Sequence, residues 1–336
     1  MPDDPPGAPP ERTRRVEFPA VEKSSAKSRW RRHRYATLSE LRESQFGIPR
    51  QSNSVRLFSM GPKTLTLLFC ALVLFFCLPR PASASDNPQE VTIQAGTYRL
   101  HGCWWAPDGP GPYPVMIFNH GSEKNPAPCG PSDLGSFYQK KGFAFFTFQR
   151  HGHGASSGEY ILDLQRQAFG VRPFNPGEAQ SEVVALQELY NKDVESAVTW
   201  LKEQKWADAQ HIVMTGISFG GIQTILTAEK GLGIRAFLPF APAAQSWNPV
   251  LADRLKRAIR QARVPVFIIQ ARNDYSLEPC KVLGGELDKK GSPNHAKIYP
   301  PFGTTKQDGH WGFGTRRDGI AVWAPDVNAF LDVTMK

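Results

Sequence analysis

Five residues, Gly216-Ile217-Ser218-Phe219-Gly220, constrain this chain more than any other stretch. The run His211–Thr215 before them reads as a buried strand, and Gly221–Ala228 after them reads as a helix. A serine at such a turn is held in a strained backbone that pushes its hydroxyl into a cleft. Glycines at 216 and 220 let strand and helix approach closely around the bend. The same turn offers backbone N–H groups at a helix N-terminus, where negative charge is favoured. The five-residue pattern alone is common. Its position between strand and helix is what gives it weight.

A serine hydroxyl is a weak nucleophile until a base takes its proton, and the base needs an acid to orient it. With the serine on this kind of turn, the chain order is serine, then Asp or Glu, then His. Asp274 follows the apolar run Val264–Gln270, at what would be the carboxyl end of a strand. His310 lies in the glycine-rich stretch Gln307–Phe313, after the last expected strand. Glu278 and Asp308 are the substitutes for the acid. Asp208 lies before the serine strand, at the wrong end of the sheet, and reads as a turn or capping residue. His211 and His295 also lie at strand starts. His120 follows the third expected strand and reads as a support for its loop. Preorganised donors for a developing oxyanion would be the N–H of Phe219 and one from the loop after Gly121, assigned to Ser122. Tyr275, Trp247, Trp311 and Phe313 neighbour these loops and are candidate pocket walls, although core packing explains each of them equally well. His151 and His153 imitate a metal pair, but no acidic third ligand is near in sequence, so a strand-end turn is the favoured reading. No metal, nucleotide or other cofactor is expected.

From residue 91 onward, strand-like and helix-like segments alternate. An opening hairpin is expected over Val91–Tyr98 and Leu100–Trp105, with strands at Tyr113–Phe118, Phe143–Phe148, Ile234–Ala241, Val264–Gln270 and Ala296–Tyr299. Helices are expected over Ser132–Lys141, Glu182–Lys205, Pro249–Ala262 and, closing the chain, Pro325–Val333. Near-continuous apolar strands separated by helices argue an α/β fold with a mostly parallel sheet covered on both faces. Ligands bind beyond the carboxyl ends of such strands, where Ser218, Asp274, His120 and Arg150–His153 fall. Residues 155–181 read as an excursion over the sheet edge.

The front of the 336-residue chain differs from the rest. Residues 1–84 hold 14 Lys and Arg against 7 Asp and Glu, leaving 26 against 24 for residues 85–336. The body therefore lacks the basic footprint of a nucleic-acid binder. Residues 1–59 have the composition of a disordered tail. Residues 64–78 form an apolar run of a length suited to a secretory signal, followed by the small-residue cleavage pattern Ala82-Ser83-Ala84. Two readings stay open. Either Met60 is the initiator, with 60–84 a signal peptide, or 1–59 is a cytoplasmic tail and 64–78 an uncleaved anchor. Both export residues 86–336 as a single catalytic domain, periplasmic, secreted or displayed at a membrane, and membrane contact is expected only through that segment. Export permits a disulfide, for which Cys103 and Cys129 are the favoured pair over Cys280. Sequence leaves the oligomeric state open.

The segments His120-Gly121, Arg150-His151-Gly152-His153-Gly154, Gly216–Gly221, Ala271–Asp274 and Gly309-His310 resemble the α/β-hydrolase fold, and within it exported members of the dienelactone hydrolase family. The resemblance spans residues 91–333 and implies Ser218, Asp274 and His310 as a triad. Dienelactone hydrolases carry cysteine as the nucleophile. Serine at 218 moves the expectation from dienelactones to a carboxylesterase acting on a small ester or lactone through an acyl-enzyme. The alternatives are a prolyl-oligopeptidase-like serine peptidase and an inactive hydrolase fold serving as a binding module.

Overall fold

The structure, a computed structural model, describes residues 88–170 and 176–336. The expected tail, apolar run and cleavage pattern of residues 1–84 lie outside these residues. Among the described residues no helix is long and apolar enough to cross a membrane.

One eight-stranded sheet carries the rest. Its strands are β1 (Gln89–Ala95), β2 (Tyr98–Trp105), β3 (Tyr113–Asn119), β4 (Ala144–Phe148), β5 (Ala207–Ile217), β6 (Ala236–Phe240), β7 (Phe267–Ala271) and β8 (His295–Tyr299), in the order β1-β2-β4-β3-β5-β6-β7-β8. β1 and β2 form the expected antiparallel hairpin, β2 runs antiparallel to β4, and every later pairing is parallel. The chain leaves β3 towards β4 on one side and returns to β5 on the other. The sheet therefore reverses between β3 and β5, where parallel sheets open their binding crevice.

The helices are α1 (Ser132–Gln139), α2 (Ile161–Gly170), α3 (Pro176–Lys202), α4 (Phe219–Ala228), α5 (Pro249–Gln261), α6 (Glu278–Asp288) and α7 (Arg317–Thr334). α5 starts where its sequence says it should: Asn248 accepts the Leu251 N–H at 3.0 Å, with Pro249 at the first helical position. The central strands alternate between two cores. Val115 and Ile117 of β3 face a cluster that takes in Tyr190 and Val194 of α3, Ile225 of α4 and Leu255 of α5. Met116 and Phe118 face the other, with Tyr138 of α1 and Trp323 of α7. This two-sided burial is why these strands read as unbroken apolar runs. Truncating a fully buried member such as Ile117 to alanine would cost about 2–5 kcal/mol.

Three elements depart from the sequence expectations. The excursion at 155–181 contains α2 and the first residues of α3. α6 forms over a stretch with no helical expectation. α7 begins at Arg317, with Pro325 inside it rather than at its start.

Cys103 and Cys129 form a disulfide, and Cys280 is a buried free thiol. The bridge fastens the segment after β3 to β2, the second strand of the sheet. At the other side, β6 and β7 share a single in-register ladder pair, Phe240 with Ile269, and one isolated bridge, Phe237 with Val266.

Candidate active site

Ser218 sits between the end of β5 and the first turn of α4 with φ 58° and ψ −117°. A non-glycine residue in that region stores on the order of 1–3 kcal/mol, tolerated only where the surroundings over-determine it. Here they do. The Ser218 N–H donates to Phe240 O at 3.0 Å, and Ile222 N–H donates to Ser218 O at 3.1 Å. A Cβ on Gly220 would lie 2.0 Å from Asn119 O, and one on Gly216 would lie 2.4 Å from Gly220 O. Only glycine fits at either position. Ala241 and Ala243, just past β6, also have positive φ, 45° and 59°, so the strained backbone gathers around the serine. Sequence patterns gave no sign of those two.

Asp274 follows β7 and is buried; His310 is buried as well, in a π-helical turn over Asp308–Gly312. His310 Nδ1 lies 2.8 Å from Asp274 Oδ1. The same oxygen accepts the Tyr275 N–H at 2.6 Å, and Oδ2 accepts from Gln270 Nε2 at 2.7 Å. With Nδ1 directed at the carboxylate, Nε2 is the nitrogen left to serve as a base. Asn273 joins the two loops. Its Nδ2 donates to Phe302 O and Thr305 O, and its Oδ1 accepts the Phe302 N–H. Gln270 and Asn273 escaped sequence reasoning, though both stand next to the predicted acid. The helical turn after His310 reaches back to the serine strand: a Cβ on Gly314 would lie 2.8 Å from Ile217 Cδ1. Among the described residues the Ser218 hydroxyl makes no hydrogen bond to the His310 ring in this state. Such contacts are often loose before substrate binds.

The rival acids have other work. Asp308 accepts from the Thr304 and Thr305 N–H groups and the Thr305 hydroxyl, and pairs with Arg316 at 3.0 Å, fixing the approach to the π-helical turn. Glu278 is exposed at the start of α6. Asp208 bonds His211 at 2.7 Å at the amino end of β5, and His295 donates to Pro293 O while stacking on Phe267.

The histidines after β4 are engaged structurally. His151 is sandwiched between Tyr98 and Tyr190, with Nδ1 2.7 Å from Asp193 Oδ2. His153 Nδ1 donates to Glu123 O at 2.8 Å, and burial, helped by Arg150, pushes its pKa down to about 3. His120 is held well below its ordinary range by burial first and by Arg150 next. Its Nε2 accepts the Arg150 N–H at 3.1 Å, so Nδ1 carries the proton and donates to Gly121 O at 2.9 Å. His120 thus supports its loop, as its position after β3 suggested.

The aromatic candidates divide. Tyr275 is exposed, its ring edge-on to His310 at 5.3 Å, and its hydroxyl meets Gln307. Trp311 is half-buried, its Cζ3 3.7 Å from where a Gly121 Cβ would sit. Trp247 packs half-buried against the core beside α5. Phe313 is buried against Tyr299 and Phe302 and takes the Trp323 N–H on its carbonyl, so it underpins the site rather than facing a ligand. A surface concavity of about 720 Å³ lies at the amino ends of β6 and β7, lined by Lys230, Gly233 and Arg263, at the opposite end of the strands from the serine.

The family model for X-Pro dipeptidyl-peptidases of the S15 family matches residues 96–267, about half of the chain, including Ser218 and the loop after β3. No curated protein sequence matches. Among solved structures, an esterase of Pyrococcus furiosus superposes with TM-score 0.52 at 17% identity, over 74% of this chain and 93% of that one. The acylaminoacyl peptidase of Pyrococcus horikoshii gives 0.56 at 16%, over 79% of this chain and 43% of that one. Dipeptidyl peptidase 4 of Porphyromonas gingivalis gives 0.51 at 18%, over 73% and 35%. At these identities the structural likeness shows a shared fold, the α/β-hydrolase fold. With that fold and the family match together, the chain belongs to the X-Pro dipeptidyl-peptidase (S15) family of α/β hydrolases.

Proposed function

We propose that the protein is a serine hydrolase, acting as a carboxylesterase on a small ester or lactone through an acyl-enzyme. The reading is carried by one observation: a buried, hydrogen-bonded Asp274–His310 pair and a strained Ser218, all at the carboxyl ends of the parallel strands. In this mechanism Ser218 Oγ attacks the ester carbonyl and His310 Nε2 takes its proton. The carbonyl electrons move to oxygen, where the Ser122 and Phe219 N–H groups receive them. Collapse expels the alcohol, protonated by His310, and water repeats the sequence on the acyl-enzyme. The likeness to dienelactone hydrolases belongs to this reading, with serine favouring ordinary esters.

A second reading, removal of X-Pro dipeptides from peptide N-termini, is favoured by the family match itself. It requires a carboxylate to take the free ammonium of the substrate. Glu123, half-buried in the loop after β3 and forming no salt bridge among the described residues, is suited to that role. We also infer export of the catalytic domain, from the apolar run at 64–78, Ala82-Ser83-Ala84 and the disulfide. A mature N-terminus at Ser85 or Asp86 supports signal cleavage, and an intact chain supports the anchor.

The test is to assay the purified protein on short p-nitrophenyl esters and on X-Pro p-nitroanilides, with fluorophosphonate labelling alongside. Ester turnover and labelling that vanish in Ser218→Ala support the esterase, and preferential cleavage of the anilides supports the dipeptidyl peptidase. Wild-type protein inert in all three assays overturns both.

A further inference from the structure

The segment from Gln149 to Tyr160 does something more specific than wall a pocket. The loop that follows β3 presents a row of backbone carbonyls, and each from His120 to Lys124 meets a donor from that segment. Arg150 Nη2 donates to His120 O at 2.9 Å and Gly121 O at 2.6 Å. The Tyr160 hydroxyl donates to Ser122 O at 2.5 Å, and His153 Nδ1 to Glu123 O at 2.8 Å. The Gly154 N–H donates to Lys124 O at 2.8 Å, and Gln149 Nε2 reaches Pro126 O at 2.9 Å. One side of the loop is gripped along its length.

The grip determines where the N–H groups point. In a trans peptide the carbonyl and the following N–H lie in one plane and face opposite ways. The Gly121–Ser122 bond is not among the cis bonds. Its carbonyl is drawn down to Arg150, so the Ser122 N–H is turned away from the guanidinium. Among the described residues neither the Ser122 N–H nor the Phe219 N–H finds an acceptor in the protein. Arg150 also touches the second donor residue, its Cζ lying 4.4 Å from the centre of the Phe219 ring. The guanidinium is fully buried, and among the described residues its Nε and Nη1 find no hydrogen-bond partner. Glu123 and Asp193 lie near enough to support its charge against burial, but among the described residues neither forms a direct ion pair with it, and it stands behind the peptide whose N–H is free.

We propose that Gln149–Tyr160 is a clamp that builds the oxyanion hole, with Arg150 as its central positioning residue. The clamp turns the Ser122 N–H into the cleft and sets a fixed positive charge behind it. Arg150 does not touch the substrate; it acts through the Gly121–Ser122 peptide. A preorganised dipole of this kind favours the tetrahedral oxyanion over the planar ester, so its loss falls on the chemical step rather than on substrate binding. Neutral His120 and His153 keep the grip free of a second positive charge near neutral pH. The inference rests on the serine-hydrolase reading of Ser218.

The test uses Arg150→Lys and Tyr160→Phe in the full chain, with three measurements: kcat, KM, and Ki for an aryl boronic acid. The boronate forms a tetrahedral adduct on the serine and places an oxygen in the hole. For Arg150→Lys, kcat should fall about 100-fold with KM within a few-fold of wild type, and the boronate Ki should rise in proportion. Tyr160→Phe, which keeps the ring, should show the same linked pattern at about 3–10-fold. A folded variant with wild-type kcat and boronate affinity overturns the clamp, as does a loss confined to KM. Should Arg150→Lys fail to fold, Tyr160→Phe decides. Wild-type protein inert to every substrate and to fluorophosphonate would sink the hydrolase reading and the clamp together. An active wild type matched by either folded variant would sink the clamp alone.

Discussion

Asp274 and His310 are joined at 2.8 Å through a carboxylate oxygen that also takes the Tyr275 N–H, while Gln270 holds the other oxygen. Both oxygens are therefore fixed, and the imidazole has one orientation open to it. Asp274→Asn keeps the shape but lets the amide donate, so the ring would settle in the wrong tautomer. In serine proteases with this triad, that change lowers kcat by about 10⁴. A fall of about 10³–10⁴ in kcat on the best ester, with little change in KM, is expected here. A variant within tenfold of wild type would show that Asp274 is not the orienting acid.

Glu123 separates the two substrate readings. Its Oε2 lies 2.5 Å from the point a Gly121 Cβ would occupy, which places the carboxylate over the loop beside Ser122. Glu123→Gln removes the charge and keeps the size. If substrates are X-Pro peptides, kcat/KM for X-Pro anilides should drop about tenfold or more, while simple esters lacking an amine are unaffected. Equal effects on both substrate types would count against an ammonium-binding role.

Stability should fall as the pH drops below neutral. His153 is buried as the neutral ring with its pKa near 3, against about 6.5 in the unfolded chain. Between those values the unfolded state binds more protons, so stability rises with pH across the window and is lost as pH falls from about 6.5 towards 3. His120, lowered for the same reason, acts in the same direction. The melting temperature should therefore decline from pH 7 to pH 5, and His153→Gln should flatten the decline. An unchanged slope in that variant would remove His153 from the account.

The Cys103–Cys129 bridge closes a segment with a sequence separation of 26 residues. In the chain-entropy picture its removal costs about 3–4 kcal/mol. The double serine variant should melt several degrees lower in calorimetry, and reductant should move the wild type towards it. Identical melting of the two under oxidising conditions would mean that the bridge adds no stability.

The places of Ser218, Asp274 and His310 in the fold were legible because each is announced locally. Ser218 has its glycines, Asp274 and His310 each follow a strand-like run, and the chain order fits. The close approach at Gly220 follows from the same five residues. What stayed hidden depends on packing. α6 contains Gly284-Gly285, which weakens any helical reading. Yet a Cβ at 284 would lie 3.0 Å from Ala296 Cβ, so glycine there lets the helix settle on β8. Pro325 suggested a helix start. Burial of Ile320 and Trp323 extends α7 eight residues further upstream. Arg150 carried no signal of its role, because its partners are carbonyls, which look alike in every sequence.

The thin junction between β6 and β7 has a mechanical meaning. Ser218 follows β5 and the Asp274–His310 pair follows β7 and β8, and Phe240 belongs to both attachments. Its carbonyl holds the Ser218 N–H, and its backbone supplies the in-register pair with Ile269. The spacing between Ser218 and the Asp274–His310 pair is thus set across a junction with few rungs.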